Sequence, residues 1–441
     1  APTLFNSDYN TYCESLRATP TWLAGFGKGQ KYANSISGSC YRQGGIISSD
    51  GLPINWGNPF HHNSYAYTYG MGLGVGQSTG QTGKTPNFSP SIIRVPLFFK
   101  KAIAGDPDYA HFLTDINGSS LGYTKTTMRP KIVEVHKSFC NGYALAENGI
   151  LFFAGYNGYG LAGHGNTSYN YYELVACPFY NDSGTQLTGS NYPKISQIAF
   201  TGSPNNYTDS NYQSCVAIDT DGIVYTVGYN GNNHLGRNGT SDSSYFQAIS
   251  SDKSAFGDEK IIYVTCSEHS SSVAHMAAIS ETGKLWMWGY NGYGNIPNGT
   301  TSNAATPYNC SSNSSNSIYG KTVDHVVLNS SAGHNITTVM TTDGKLHACG
   351  YMETHGVYAG VASTDGANRS NLAELTHGSD TGMWNSDNQK VINFSQTGGR
   401  YPTTFIITDG GDTGEPRFYA YGDNNYGTHG ADTTVNLSGQ G

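Results

Sequence analysis

The stretch MWGYNGYGNIPNGTT at 287–301 has two near copies in the same chain, FFAGYNGYGLAGHGNT at 152–167 and VYTVGYNGNNHLGRNGT at 224–240. Each runs a short aromatic strand into a glycine and then into Tyr-Asn-Gly. Such a phrase is either a chemical motif used repeatedly or the punctuation of a repeated fold. What precedes it separates the two. NGYALAENGILFFAG (141–155), SCVAIDTDGIVYTVG (214–228), HMAAISETGKLWMWG (275–289) and ITTVMTTDGKLHACG (336–350) share one plan. An alternating apolar strand meets a polar residue and glycine, and a second strand follows. Asp-Gly or Asn-Gly between two such strands is a strong hairpin signal, because both turn residues tolerate positive φ. Tyr-Asn-Gly then turns the chain again, with Asn and Gly accepting left-handed backbone. The phrase reads as punctuation.

Aligning the chain on the glycine that closes each aromatic strand gives seven anchors: Gly25, Gly70, Gly155, Gly228, Gly289, Gly350 and Gly422. Their mean spacing, about 66 residues, is too long for one hairpin and suits a sheet of several strands. Composition agrees. Charged residues are 12% of the 441, while Gly counts 57 and Tyr 33, which favours short strands and turns over helices. The expectation is an all-β chain folded as one domain over residues 1–441. Long stretches between repeats, at 98–130, 178–211, 240–259 and 361–389, read as insertions, and LPINWGNPFHHN (52–63) as a shorter one within the second repeat.

TCSEHSSSVAHMAAISETGKLWMWGYNGYG, at 265–294, resembles the repeats of the regulator of chromosome condensation family. Those repeats run from a His-containing strand through an Asp-Gly turn and an aromatic strand ending in Trp-Gly to a Gly-rich turn. The resemblance extends through motifs from about residue 21 to 427 and is most specific over 132–360; the family's Gln-Leu-Gly ending is degraded here. It implies a seven-bladed β-propeller, matching the seven anchors, with a strand of the C-terminal tail completing the first blade.

Several chemistries are excluded or unsupported. A phosphate-binding glycine loop needs a helix after it, and none follows these phrases. Neither HExxH nor an EF-hand pattern occurs, and no GxSxG run is read as the nucleophile elbow between a strand and a helix. His61 and His62 are adjacent but lack placed carboxylates, so no metal site is assigned. Asp50, Asp221, Glu281 and Asp343 stand beside hairpin glycines and read as turn residues. No cofactor motif appears, and the chain reads as a non-enzyme. The formal charge of −8, with no basic stripe, argues against nucleic acid. No apolar run is long enough for a membrane helix, and APTLFNSDYN lacks the regions of a signal peptide. The eight cysteines form no CxxC pair and read as reduced, mostly buried residues.

Two surfaces remain as binding candidates. The first is the set of turn residues Tyr156, Tyr159, Tyr229, His234, Tyr290, Tyr293, His355 and Tyr426. A propeller presents such turns together, and tyrosine offers rigid contact area; the same residues could instead pack between blades. The second is the insertions, with Phe98, Phe99, Tyr109, His111 and Phe112 in one and Trp384 in another, too aromatic for plain linkers. The expected partner is a protein or surface glycan, with homo-oligomer or larger virion assembly as the setting. A Gly/Ser/Thr/Asn/Tyr-rich, charge-poor composition resembles that of virion tail, fibre or decoration proteins docking to a host receptor, and places the chain on a virion or outside the cell. The alternative is a free-standing protein-binding propeller acting as an enzyme inhibitor or an exchange factor.

Overall fold

The computed structural model describes residues 43–47, 53–57, 132–137, 141–167, 171–201, 212–267, 272–329, 335–351, 368–375, 388–396 and 403–422. These are strands and turns with a few single-turn 3-10 segments. None of their helices is long and apolar enough to cross a membrane. The chain falls into two compact units, Ala1–Tyr156 with Asn170–Cys177, and Asn157–Tyr169 with Pro178–Gly441.

In the first unit, β1 (Gln43–Ile47) and β2 (Pro53–Gly57) form an antiparallel hairpin. β3 (Ile132–Lys137), β4 (Asn141–Ala146), β5 (Leu151–Gly155) and β6 (Tyr171–Ala176) form a four-stranded meander in chain order. The β1–β2 pairing corrects one expectation. Gln43 stands opposite Gly57, just as Asn141 stands opposite Gly155. Asn-Trp-Gly at 55–57 therefore closes this hairpin as Gly155 closes the β4–β5 hairpin. Residues 53–57 are a strand of the hairpin and not part of an insertion. Gly25 and Gly70 lie outside the described residues.

The second unit repeats the meander. β7 (Phe179–Tyr180) and β8 (Gln186–Leu187) come first, then β9 (Ile195–Phe200), β10 (Ser214–Asp219), β11 (Val224–Gly228) and β12 (Ser243–Ala248). β7 adds in parallel to β12, giving a six-stranded sheet. β13 (Ile261–Cys266), β14 (His275–Ser280), β15 (Leu285–Gly289) and β16 (Ala304–Asn309) make the next sheet. β17 (Val323–Asn329), β18 (Ile336–Thr341), β19 (Leu346–Gly350) and β20 (Arg369–Glu374) make a third. β21 (Val391–Gln396), β22 (Thr403–Thr408) and β23 (Arg417–Gly422) make a three-stranded one. The stretches read as insertions thus contain regular sheet strands. β9 falls within 178–211, β12 within 240–259 and β20 within 361–389.

The middle strands depart from simple alternation: β10, β11, β14, β15, β18 and β19 are buried at every position. A sheet covered on both faces has no solvent side to encode, so its central strands lose the alternation, and the polar residues they carry, such as His275 and Thr337, are buried too. Hydrophobic clusters supply the cover: one runs from Val216 and Ile218 through Met276, Trp288 and Val326 to Leu372, and another joins Ile336, Met340, Leu346 and Ala348 to Val391, Phe394 and Ile406. The first strands of successive sheets lie against one another, β9 on β13, β13 on β17 and β17 on β21.

Neighbouring sheets are joined by hydrogen bonds at both ends. At the hairpin end, Gly222 O, Gly283 O and Gly344 O accept from Ile261 N (3.4 Å), Val323 N (2.8 Å) and Val391 N (3.0 Å). At the other end, Gly165 N, Asn238 N and Gly299 N donate to Ser244 O (2.9 Å), Ala305 O (3.0 Å) and Ser370 O (2.9 Å). All three donors have positive φ, and each sits at the tail of a Tyr-Asn-Gly phrase.

Candidate binding surface

The anchor glycines explain how the phrase begins. Gly228, Gly289 and Gly350 have φ of 110°, 104° and 109°. At each, the pairing with the following strand shifts register by two residues, a bulged irregularity. The kink aims the next N–H at the carbonyl before the neighbouring strand. Tyr229 N donates to Gln213 O (2.8 Å), Tyr290 N to Ala274 O (3.1 Å) and Tyr351 N to Asn335 O (2.8 Å). A side chain there would be strained and crowded: a Cβ would stand 2.3 Å from Gln213 O at Gly228 and 2.2 Å from Asn335 O at Gly350.

The Asn is a buried plug. Asn157, Asn230 and Asn291 are inaccessible to solvent or nearly so. Each Oδ1 accepts a main-chain N–H five residues on, from Ala162 (2.8 Å), Leu235 (2.9 Å) and Ile296 (2.6 Å). Each Nδ2 donates to the carbonyl nine residues on, of Asn166 (2.9 Å), Gly239 (2.8 Å) and Thr300 (3.0 Å). One carboxamide thereby closes a whole loop. The following glycine is needed because the tyrosine folds back over it. A Cβ on Gly231 would stand 2.0 Å from the Tyr229 hydroxyl oxygen, and one on Gly292 2.1 Å from that of Tyr290.

The tyrosines so placed are half-buried, and they meet across sheets. Tyr159 packs edge-on against Tyr229 (centroids 5.8 Å apart), Tyr212 edge-on against Tyr229 (4.8 Å), and Tyr159 lies 6.2 Å from Tyr212. Further along, Tyr290 and Tyr293 are 6.0 Å apart, and Tyr293 meets Tyr351 edge-on at 5.6 Å. Edge-to-face pairs of this kind add about 0.5–1.5 kcal/mol beyond their burial, so the rings are both inter-sheet packing and a pre-set surface. Tyr212 is 39% exposed. Burial, and then Asp242, raises the Tyr229 phenol above its ordinary value; burial, and then Tyr293, raises that of Tyr290. These hydroxyls stay neutral and offer both a donor and an acceptor.

Among the residues singled out from sequence, the structure pairs Tyr159 with Tyr229 and Tyr290 with Tyr293. Tyr156 is half-buried, its carbonyl accepting from Asn141 Nδ2 at 3.1 Å. His234 is no surface group. It is fully buried, with Nδ1 3.3 Å from Ser214 Oγ and Nε2 3.2 Å from Ser272 O. Phe98, Phe99, Tyr109, His111, Phe112, His355, Trp384 and Tyr426 lie outside the described residues. Two members escaped the sequence reading. Tyr351 follows an anchor glycine just as Tyr229 and Tyr290 do, so the repeat itself carried its signal. Tyr212 comes from a connection outside the repeat pattern and had none.

Two other buried imidazoles are held by hydroxyls. His275 Nε2 lies 3.2 Å from Thr337 Oγ1. His347 places Nδ1 2.7 Å from Ser317 Oγ and Nε2 3.1 Å from Thr341 Oγ1, which donates to Asp343. Burial pushes His234 and His347 down to about 4 and His275 to about 3. Ser317 beside His347 pairs a hydroxyl with a base, but its own N–H is tied to Leu372 O at 3.0 Å, stitching a loop to β20. No cluster of metal-ligating side chains occurs among the described residues.

No family model matches the chain. Its backbone is similar to the crystal structure of human WBSCR16, with a TM-score of 0.53 at 14% identity, over 90% of this chain and 78% of that one. It is also similar to yeast RCC1 (Prp20) bound to Kap60, at 0.47 and 14% over 90% and 71%, and to Prp20p from Saccharomyces cerevisiae, at 0.45 and 14% over 90% and 74%. The two yeast scores carry no inference. The likeness to WBSCR16 is one of fold alone, and with the repeated antiparallel sheets it makes this chain an all-β propeller of the regulator-of-chromosome-condensation type.

Proposed function

We propose that this chain is a non-enzymatic, protein-binding propeller that engages its partner through the tyrosines of the Tyr-Asn-Gly loops. One observation carries the reading. Tyr159, Tyr212 and Tyr229, and then Tyr290, Tyr293 and Tyr351, form two partly exposed aromatic clusters whose rings are fixed by neighbouring sheets. Rings already immobilised lose little entropy on binding, which suits them as anchors of an interface. The whole of residues 1–441 forms one propeller of seven repeats in this proposal. Phe98, Phe99, Tyr109, His111, Phe112 and Trp384 form a second contact region on its insertions.

The free-standing binding protein, inhibitor or exchange factor, is the version this geometry favours. A virion exterior setting and a surface glycan as ligand rest on composition alone, and no side-chain arrangement adds to them. The test is capture of the partner from the source organism's extract, followed by titration of the purified partner. Tyr159→Ala with Tyr293→Ala weakens binding at least tenfold, as loss of aromatic anchors does, while circular dichroism shows the fold kept. Unchanged affinity in the folded double variant overturns the reading.

A further inference from the structure

The same dipeptide, Asn-Gly, stands in very different surroundings along this chain. It is the sequence most open to spontaneous deamidation, because glycine leaves the following main-chain nitrogen unhindered. The reaction needs two things: a carboxamide free to swing, and a glycine N–H free to attack it. In the three loop plugs the carboxamide is locked, since Asn157, Asn230 and Asn291 are buried and bonded through both Oδ1 and Nδ2. Elsewhere the glycine is engaged. Gly149 N donates to Ala146 O at 2.9 Å while Asn148 Oδ1 accepts from Ile150 N. Gly299 N donates to Ser370 O at 2.9 Å while Asn298 Oδ1 accepts from Thr300. Asn141 is buried at the start of β4, where Gly142 pairs with Ala154.

Asn238 differs from all of these. It is exposed and has φ of 54°. Its main-chain N–H donates to Ala305 O at 3.0 Å, but among the described residues neither its carboxamide nor Gly239 N has a hydrogen bond. We infer that Asn238 is a structure-gated site of covalent modification, converting to aspartate and isoaspartate while the other described Asn-Gly pairs are protected by the fold. Gly239 N attacks Asn238 Cγ, the bond from Cγ to Nδ2 breaks, and ammonia leaves to give a cyclic succinimide. Water then opens the ring at either carbonyl. The net change is one water in, one ammonia out and one negative charge gained.

The position gives this chemistry a consequence. Isoaspartate lengthens the main chain by one carbon between two fixed points. One is the Asn238 N–Ala305 O bond that joins neighbouring sheets. The other is Gly239 O, which accepts from Asn230 Nδ2 (2.8 Å) and Asn233 Nδ2 (2.9 Å). Modification therefore loosens the loop that carries Tyr229 and acts as an ageing mark on the tyrosine end.

The experiment incubates the intact protein at neutral pH and follows each Asn-Gly peptide by mass spectrometry, with isoaspartate identified enzymatically. Among the described pairs, Asn238 converts first. Asn157, Asn230 and Asn291 lag by about tenfold or more, the factor imposed by each 1.4 kcal/mol of local opening. In denaturant the differences collapse. Gly239→Ala is the control: a Cβ there meets open space and the backbone is not left-handed, so this variant folds, and its side chain blocks the attack. Conversion of a buried plug as fast as Asn238 in the native protein overturns the proposal, as does undiminished conversion at Asn238 in Gly239→Ala.

Discussion

The two ends of each sheet join neighbours by the same main-chain bond but pay different attention to side chains. At the hairpin end, Gly222, Gly283 and Gly344 hand a carbonyl straight to the next sheet. Nearby ion pairs, such as Lys284 with Glu259 and Lys321 with Asp343 and Glu374, lie at the surface. At the other end each joint is held by a buried asparagine, and in the second and third phrases by a tyrosine lid with a glycine beneath it. The hairpin end thus rests on its glycines, which have positive φ and leave no room for a Cβ against the next sheet, and asks little of its other side chains. The tyrosine end is specified residue by residue, and its lids are left half in solvent.

If that contrast is real, lowering the pH strikes the specified end hardest. His234 and His275 sit there, buried and neutral, with His347 toward the hairpin end. Burial holds them at about 4, 3 and 4, against about 6.5 when unfolded. The unfolded chain therefore binds protons that the native one refuses, so stability is fully present above about pH 6.5 and falls as pH drops toward 4. Each imidazole contributes a loss on the order of 1–2 kcal/mol at pH 5. Asp219, raised by burial, works the other way at lower pH. Urea midpoints measured at pH 7.5 and 5 check this, and His234→Gln with His275→Gln should flatten the profile. An unchanged profile would mean that these rings are not buried in solution.

Removing one plug is the next largest effect. Asn291→Ala strands the Ile296 N–H and the carbonyls of Thr300 and Ser302, both accepting from Nδ2 at 3.0 and 3.1 Å. The cost is about 3 kcal/mol from unmade buried hydrogen bonds, read as a drop in melting temperature. Asn291→Asp should cost as much, because a carboxylate cannot donate. A small effect of either would reduce the phrase to a turn preference.

The anchor glycines rank below this and can be ordered among themselves. A Cβ at Gly350 stands 2.2 Å from Asn335 O, whereas at Gly289 the nearest atom, Ala274 O, is 3.0 Å away. Both carry the strain of positive φ, about 1–3 kcal/mol. Gly350→Ala therefore destabilises more than Gly289→Ala in paired thermal melts. The reverse order would show that φ and not crowding decides.

Much of this was legible in the chain. The hairpin plan around Asp221-Gly222 and Asp343-Gly344 located the middle strands β10, β11, β18 and β19, because turn chemistry and strand propensity agree there. The anchor glycines marked where the second strand of each hairpin closes. Outer strands such as β12, SSYFQA, and β20, RSNLAE, read as insertions because most of their positions are only partly buried and their sequences carry little apolar pattern. PINWG read as part of an insertion because it is short and carries Pro and Gly; its pairing with QGGII shows it as a strand. The loop asparagines were seen as tolerant of left-handed backbone. Their larger role as plugs depends on carbonyls nine residues away, which no local signal shows.

The smallest effect belongs to the hairpin end and is the one that completes the contrast. Lys284 pairs with Glu259, which also accepts from Thr282 Oγ1 at 2.7 Å. Hydrogen bonds from Lys284 and Thr282, outweighing a desolvation cost, leave the Glu259 carboxyl below its ordinary value. Yet the lysine is largely in solvent, where such a pair is worth about 0–1 kcal/mol and is screened by salt. The joint beneath it, Val323 N to Gly283 O, uses no side chain. Lys284→Ala should therefore shift the urea midpoint by less than about 0.5 kcal/mol equivalent, with the remainder vanishing in high salt. A loss comparable to that of Asn291→Ala would show that the hairpin end is specified by its side chains too, and the two ends would no longer differ in kind.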